Sequence, residues 1–483
     1  DQLLRRVYGQ KSEKLDPAQL LLFLDEEPTP PVTPVPEPPV EPVTETITVT
    51  KTKGHGRKAL PANLPRVRQW HDLTDAEKLC PCCQTPRSKI GDDVSEQLEF
   101  VPASLFVIEH VTPKYVCPKC RDGIASAAKP ESLIPKGLPG PGLLAQVAVS
   151  KYADHLPLNR QEKIFVRHGV TLNRSTLCDW MMLVAELVRP LVDWMRIEIL
   201  KSRLIQTDDT PVDVLDRALG QKRTRTGRLW VYRGDEHHPF VVFDYTPDRS
   251  RAGPQQWLGD YRGCLQCDAY AGYDELFRKQ PELIEVGCWA HARRYFFEAK
   301  ESEPVRARLA LLTIGKLYEV ERRSAEHDQQ RVTETLPVDL DHRWQLRQTE
   351  SKTVIAEFHE QLITWQHEAL PQSPFGKALQ YARNQWAALN RYLDDATIPI
   401  DNNASERDLR GVAIGRNNWL FCGSDRGGHT AATMLSLITT CQRRGVEPFG
   451  YLRDLFTRWP TLPRNDLGEL TAETLSTLLP NKP

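Results

Sequence analysis

Leu204-Ile205-Gln206-Thr207-Asp208-Asp209-Thr210-Pro211-Val212 sets a β-favouring run directly against a pair of acids. Three similar runs follow: Leu229-Trp230-Val231-Tyr232, Phe240-Val241-Val242-Phe243 and Cys264-Leu265-Gln266-Cys267. Turn residues separate them, as a sheet requires. The first run ends at Asp208-Asp209 and the last at Asp268, so the sequence predicts acids at two strand ends. There a rigid backbone fixes reactive groups and the loop side gives access. Two such carboxylates can hold Mg²⁺ through oxygen ligands, leaving positions for water and substrate phosphates. With a third acid, a pair of ions can clamp the attacking and leaving oxygens of a phosphodiester.

Glu406 is the candidate third acid, in Asp401-Asn402-Asn403-Ala404-Ser405-Glu406-Arg407-Asp408-Leu409-Arg410. The same spacing also reads as a capping box, with Asn403 as N-cap and Glu406 three residues on. Glu406 and Arg410 form an ordinary helical i, i+4 pair as well.

Helical periodicity lies on both sides of the strand runs. Upstream, residues 140–200 read as helices around the turn His168-Gly169-Val170-Thr171-Leu172-Asn173, with Ser175 as N-cap. Helix, Gly-bearing turn, helix is the helix-turn-helix pattern, although two ordinary antiparallel helices share it. Arg160, Lys163, Arg167 and Arg174 make it a candidate for DNA contact. Downstream, residues 289–395 return to long charged helices, and residues 403–455 are mostly helical around the glycine-rich turn at Gly423–Gly428.

Two cysteine knuckles precede all of this. Cys80-Pro81-Cys82-Cys83 and Cys117-Pro118-Lys119-Cys120 each let two thiolates face one ion. Cys80, Cys83, Cys117 and Cys120 complete a tetrahedral sulfur shell for a structural Zn²⁺, whose binding energy replaces a core this small unit cannot build. Buried thiols without metal are the alternative, and Cys82 leaves the ligand choice in the first knuckle ambiguous. Cys288 and His291 are spaced like half a metal site, but with no partner pair they read as a packed thiol and a hydrogen-bonded imidazole.

Composition limits the remaining classes. The chain has 483 residues, room for three or four domains, and a net charge of −1, which excludes a wholly basic nucleic-acid coat. Charge is instead segregated. After eight prolines between Pro28 and Pro42, residues 51–70 hold Lys51, Lys53, Arg57, Lys58, Arg66 and Arg68 with no acid, a stretch able to follow phosphates or to serve as a solvated linker. Eleven cysteines without an export signal argue for reduced thiols or metal ligands over a disulfide framework. No apolar run is long enough to span a membrane.

In order along the chain stand the two cysteine knuckles, Asp208-Asp209-Thr210-Pro211-Val212, Asp268-Ala269-Tyr270-Ala271-Gly272-Tyr273, Cys288-Trp289-Ala290-His291-Ala292-Arg293-Arg294, the Asp401–Arg407 segment and Gly415-Arg416-Asn417-Asn418-Trp419-Leu420-Phe421-Cys422-Gly423-Ser424. Together with Tyr8-Gly9-Gln10-Lys11-Ser12-Glu13-Lys14, this series resembles the large transposase of IS66-type bacterial insertion sequences over nearly the whole chain. The resemblance implies a DDE transposase with a ribonuclease-H-like core, in which Asp208, Asp268 and Glu406 take the three acid positions and hold Mg²⁺ or Mn²⁺. The family's first motif usually reads Asp-Glu-Thr-Pro, so Asp209 stands where Glu is usual and is open to a share of the metal work.

The interval from Asp208 to Asp268 is 60 residues, and from Asp268 to Glu406 it is 138. The second gap fits a helical insertion. The expected architecture is multidomain α+β. It runs from a helical segment (1–27) and a linker (28–66) to a zinc unit (67–125) and a helix-turn-helix domain (126–200). A catalytic core follows (201–295 and 396–440), split by the insertion (296–395), and then a tail (441–483).

The expected reaction is metal-assisted cleavage at the element's end, followed by attack of the released 3′-hydroxyl on target DNA. Arg407, Arg410 and Arg416 are candidate phosphate contacts; surface pairing of Arg407 and Arg410 with Asp408 and Glu406 is the other reading. Trp230 and Trp419 are open to base stacking or to core packing. Expected partners are the transposon ends and target DNA, further copies of the chain on that DNA, and small companion proteins of the same element, in the cytoplasm at the nucleoid. A ribonuclease-H-like nuclease that cuts without joining, and a non-catalytic zinc-dependent DNA-binding regulator, share parts of this pattern.

Overall fold

The computed structural model describes residues 105–111, 114–116, 124–126, 131–135, 137–216, 223–333 and 335–481. The N-terminal segment, the linker with its basic stretch, and Cys80, Cys83, Cys117 and Cys120 lie outside the described residues. Strands β1 (Lys114–Val116) and β2 (Ile124–Ser126) pair antiparallel and flank the second knuckle in sequence.

Three helices come next: α1 (Pro141–Tyr152), α2 (Leu158–Arg167) and α3 (Arg174–Ile199). Pro141 opens α1, where its missing N–H costs nothing. Gly169, at φ +79°, makes the turn between α2 and α3. Asn173, not Ser175, holds the N-cap position of α3, and its side chain makes no capping bond. Helix α3 is longer than its sequence suggests and runs through Pro190, because Leu191, Val192, Met195 and Ile199 continue the buried stripe begun by Leu177, Met181, Val184 and Val188.

The sheet is built from β3 (Leu204–Leu215), β4 (Thr224–Arg233), β5 (Val241–Thr246), β6 (Cys264–Gln266) and β7 (Ile284–Val286), in the order β5-β4-β3-β6-β7. The first three are antiparallel; β6 and β7 run parallel to β3. Helix α4 (Ala252–Leu258) leads into β6, and α5 (Asp274–Lys279) joins β6 to β7.

One expectation is corrected here. Strand β3 does not stop at Asp208-Asp209 but continues to Leu215, paired with β4 throughout. What ends is the parallel ladder: β6 leaves after Gln206↔Gln266. Beyond that point one edge of β3 is open, and an open edge tolerates Pro211. Further along, Cys422 rejoins the edge through Leu215 N–H to Cys422 O and Cys422 N–H to Asp213 O, both 2.8 Å.

After β7 come α6 (Trp289–Glu298) and the insertion helices α7 (Pro304–Thr333), α8 (Leu340–Leu346), α9 (Lys352–Glu368), α10 (Pro374–Asn384) and α11 (Trp386–Asn390). The chain then returns to the sheet in α12 (Asn403–Trp419), α13 (Asp425–Arg444), α14 (Pro448–Arg458) and α15 (Ala472–Leu478).

Two apolar cores result. One packs α1, α3, α13 and α14 around Trp230, Tyr232 and Phe243 of the sheet. The other gathers Trp289, Phe296, Phe358 and Phe375 of the insertion side against Val286 and Leu204. Helix α13 also closes the sheet edge, since Ser436 and Thr440 hydroxyls accept the Phe243 and Val241 N–H groups at 2.8 and 3.0 Å. Trp230 is fully buried and Trp419 packs partly buried on the first core, so both take the core role. Among the described residues no helix is long and apolar enough to cross a membrane.

Candidate active site

The parallel register places the two aspartates. Gln206 of β3 pairs with Gln266 of β6, so Asp208 and Asp268 each lie two residues beyond a matched pair. Side chains two apart share a face, so both acids share the face on which Gln206 Nε2 meets Gln266 Oε1 at 2.8 Å. Helix α12 covers that face. Gln206 also donates to Asp401 O (3.1 Å), and Arg416 Nη1 donates to Thr210 Oγ1 (2.9 Å) and Pro211 O (2.8 Å). Between those tethers α12 carries Glu406 above Asp208.

The capping box is not formed. Asn402 holds the N-cap position without a side-chain bond, which places Glu406 one residue past the position the box requires. The first helical N–H instead goes to Asp401 Oδ1 at 3.1 Å.

Asp208 is the most perturbed acid of the group. Burial pushes its carboxyl up to about 7; the Asp209 N–H donating to Oδ1 at 2.7 Å opposes this, and the charges of Asp268, Glu406 and Asp209 add to it. Asp268 is also raised, first by burial, with Arg249 (3.7 Å) opposing. Glu406 Oε1 lies 3.7 Å from His291 Nε2 and 3.8 Å from Arg294 Nη2. Among the described residues no three His, Cys, Asp or Glu side chains stand close enough to hold an ion as placed. The acids share a face, but Asp268 leans toward Arg249 and Glu406 toward Arg294. Even so, the donor set suits a hard divalent cation: three carboxylates, two of which add to the rise that burial imposes on the third.

Asp209 sits on the opposite face with a different role. Its carboxylate is almost wholly buried and accepts from Arg228 Nη1 (2.9 Å) and from Arg249 Nε and Nη2 (3.0 and 2.7 Å). The Arg249 guanidinium lies 4.1 Å from the Tyr270 ring centroid, and the Tyr270 hydroxyl donates to Arg249 O. This brace ties β3 to the loop carrying Asp268. Sequence spacing gave no sign of Arg249.

His291 also departs from its expected role. Cys288 is a packed thiol, pushed up to about 12 by burial. His291, however, faces Glu406, and burial together with Arg294 lowers its imidazole to about 4.

Of the candidate DNA contacts, Arg160, Lys163, Arg167, Arg174, Arg407 and Arg410 are exposed. Asp408 is taken by Arg233 (2.9 Å), not by Arg407 or Arg410. Arg416 uses Nη1 within the fold, as described above.

Comparison with known proteins covers the chain from end to end. The transposase IS66 family model matches residues 136–430, the zinc-finger binding domain of transposase IS66 residues 77–121, the element described as transposase C of IS166 homeodomain residues 1–68, and the IS66 C-terminal element residues 436–472. Two similar proteins come from Sinorhizobium fredii (strain NBRC 101917 / NGR234). The uncharacterized protein y4jD is 31% identical over 494 residues, covering 99% of this chain and 92% of its own. The uncharacterized protein y4qI is 33% identical over 424 residues, covering 84% and 75%. Zinc finger, central domain and C-terminal element follow one another in a single chain, and the chain belongs to the IS66 family of transposases.

Proposed function

We propose that this protein is a DDE transposase with a ribonuclease-H-like core, and that Asp208, Asp268 and Glu406 are its catalytic acids. The observation carrying this reading is the register that sets Asp208 beside Asp268, with Glu406 close enough for its charge to raise Asp208. The sheet, three antiparallel strands followed by two parallel ones, supports the ribonuclease-H-like assignment.

Asp208, Asp268 and Glu406 would hold Mg²⁺ or Mn²⁺. Bound divalent cations supply positive charge for the attacking and leaving oxygens of a phosphodiester in cleavage and in strand transfer. The chain's own residues do the positioning: the β3–β6 ladder fixes the two aspartates, α12 presents Glu406, and the Asp209–Arg249 brace holds the Asp268 loop. Exposed Arg407 and Arg410, on the same helix as Glu406, are placed to steady DNA phosphates.

End recognition falls to residues 51–190, through the basic stretch, the zinc finger and the α2–α3 pair with Arg160, Lys163, Arg167 and Arg174. Cys80, Cys83, Cys117 and Cys120 hold the structural Zn²⁺, a reading the zinc-finger match over 77–121 supports. Joining two ends calls for more than one copy on the DNA, with companion proteins of the element as further partners.

The test is incubation of full-length protein with DNA carrying the element's end, a target plasmid and Mg²⁺, alongside zinc analysis of the same preparation. Nicked and joined products are expected, with one Zn²⁺ per chain. Asp208→Asn, Asp268→Asn and Glu406→Gln should abolish both products while end binding persists. Cleavage without joining would favour the nuclease, and function surviving Asp268→Asn would favour the regulator.

A further inference from the structure

At the end of α12 the chain makes a turn that ordinary residues avoid. Leu420 has φ +67° and ψ −51°, and Phe421 N–H donates back to Trp419 O at 2.9 Å. This is the three-residue γ-turn of the rare, strained kind, and a leucine occupies its centre. The strain yields no burial: Leu420 is 65% exposed and Phe421 45% exposed.

Both flanks of the turn are fixed. Before it, Trp419 folds back onto its own helix, its Nε1 2.7 Å from where a Cβ on Gly415 would stand, so only glycine admits the ring there. After it, Cys422 is held to β3 by its two backbone hydrogen bonds. Arg160 of α2 reaches the same place and donates to Asn418 Oδ1 at 3.4 Å. Two apolar side chains thus project from a rigid, strained mount beside guanidinium groups.

We propose that Leu420 and Phe421 form a wedge that enters the DNA and unstacks a base step at a set distance from the cleaved bond; the proposal rests on the DNA-cleaving function above. Apolar side chains driven between base pairs act in this way when the mount does not yield. The fold also sets the distance. Along α12, Leu420 is fourteen residues past Glu406, about 21 Å at the helical rise. Along β3, Val214, which bridges to Cys422, is six residues past Asp208, about 20 Å at the strand rise. Both routes put the wedge roughly six base-pair steps from the acids. Arg160, exposed beside it, is free to meet a phosphate flanking the opened step.

The experiment uses full-length protein and end DNA with 2-aminopurine placed singly at four to eight base pairs from the cleaved bond, on either side. Fluorescence should rise on binding at one position near six and stay flat at the others. Phe421→Ala and Leu420→Gly should lose the rise and cut intact duplex at least about tenfold more slowly. A mismatch at the same step should restore cutting. Leu420→Gly removes the strain with the side chain, so its unfolding temperature should match or exceed that of the parent, which separates loss of the wedge from loss of fold. Binding and cutting with no fluorescent position would overturn the wedge and leave the transposase reading intact. Failure to bind or cut end DNA at all would overturn both. A change of oligomeric state in Phe421→Ala with the fluorescence unchanged would reassign the tip to contact between copies and overturn the proposal.

Discussion

Arg347 in the helical insertion is a buried charged group and Asp208 in the sheet a half-buried one, and their surroundings differ in one respect. Arg347 is fully buried, and its guanidinium donates to both oxygens of Glu321 (2.8 and 2.6 Å) and to the carbonyls of Tyr392 and Asp395 (2.7 and 2.9 Å). Asp208 has a single backbone N–H and three acids for company. A matched charge ties helices of the insertion together. An unmatched one is the arrangement that, on the proposed reading, a divalent cation would complete. Burial alone does not distinguish structure from function, whereas the sign of the neighbours does.

The comparison breaks most readily on the insertion side. Arg347→Met should cost about 3–5 kcal/mol, since Glu321 would keep its charge without a partner. Chemical denaturation of the purified variant measures this, and a loss below about 1 kcal/mol would show that the pair is dispensable. Adding Glu321→Gln should recover part of the loss, because the Tyr392 and Asp395 carbonyls still lack a donor.

Asp209 and Asp208 sharpen the contrast at adjacent positions. Asp209→Asn removes the charge that two arginines share, each of them partly exposed, and should lower stability by about 1–3 kcal/mol. Cleavage should fall only modestly, through slackening of the Arg249 brace. Denaturant midpoints and cleavage rates of the two variants test this together. A larger loss of cleavage in Asp209→Asn than in Asp208→Asn would mean that the wrong neighbour was taken as the ligand.

Asp208→Asn should have the opposite sign. A carboxyl raised from 3.8 to about 7 on folding binds its proton more tightly in the folded chain than in the unfolded one. The folded state therefore loses stability as pH rises from about 4 to about 7, and the full penalty stands above that. In buffer without divalent cations, the variant and the parent should melt together near pH 4, and the variant should melt a few degrees higher at pH 8. Mg²⁺ should narrow the gap at pH 8 by stabilising the parent alone. Melting curves that coincide at every pH would show Asp208 to be solvated like an ordinary surface acid.

Much of the proposed site is legible in the sequence. Asp208 and Asp268 follow β-favouring runs, and a run with its acid is a local pattern. Glu406 is proposed from the motif around it, since its helical spacing suits a cap equally well. Features that depend on distant pairing were not legible. That β3 runs on past Pro211 depends on β6 stopping at Gln266 and leaving an edge open. Arg249 meets Asp209 across 40 residues, and His291 meets Glu406 across an insertion whose length says nothing of where its ends rejoin. The turn at Leu420 is the extreme case, because no propensity rule assigns a positive φ to leucine.

The return of the chain at Asp401 carries a consequence for synthesis. Gln206 waits 195 residues for the carbonyl that Asp401 brings to it, and Glu406 arrives behind that carbonyl. A ribosome making this chain releases the segment assigned to gripping DNA long before it releases the third acid, and domains fold as they emerge. If the proposed division of labour holds, a nascent or prematurely ended chain would occupy an element's end without being able to cut it. Such fragments would then compete with the finished protein for the same ends, and incomplete translation would itself hold transposition down.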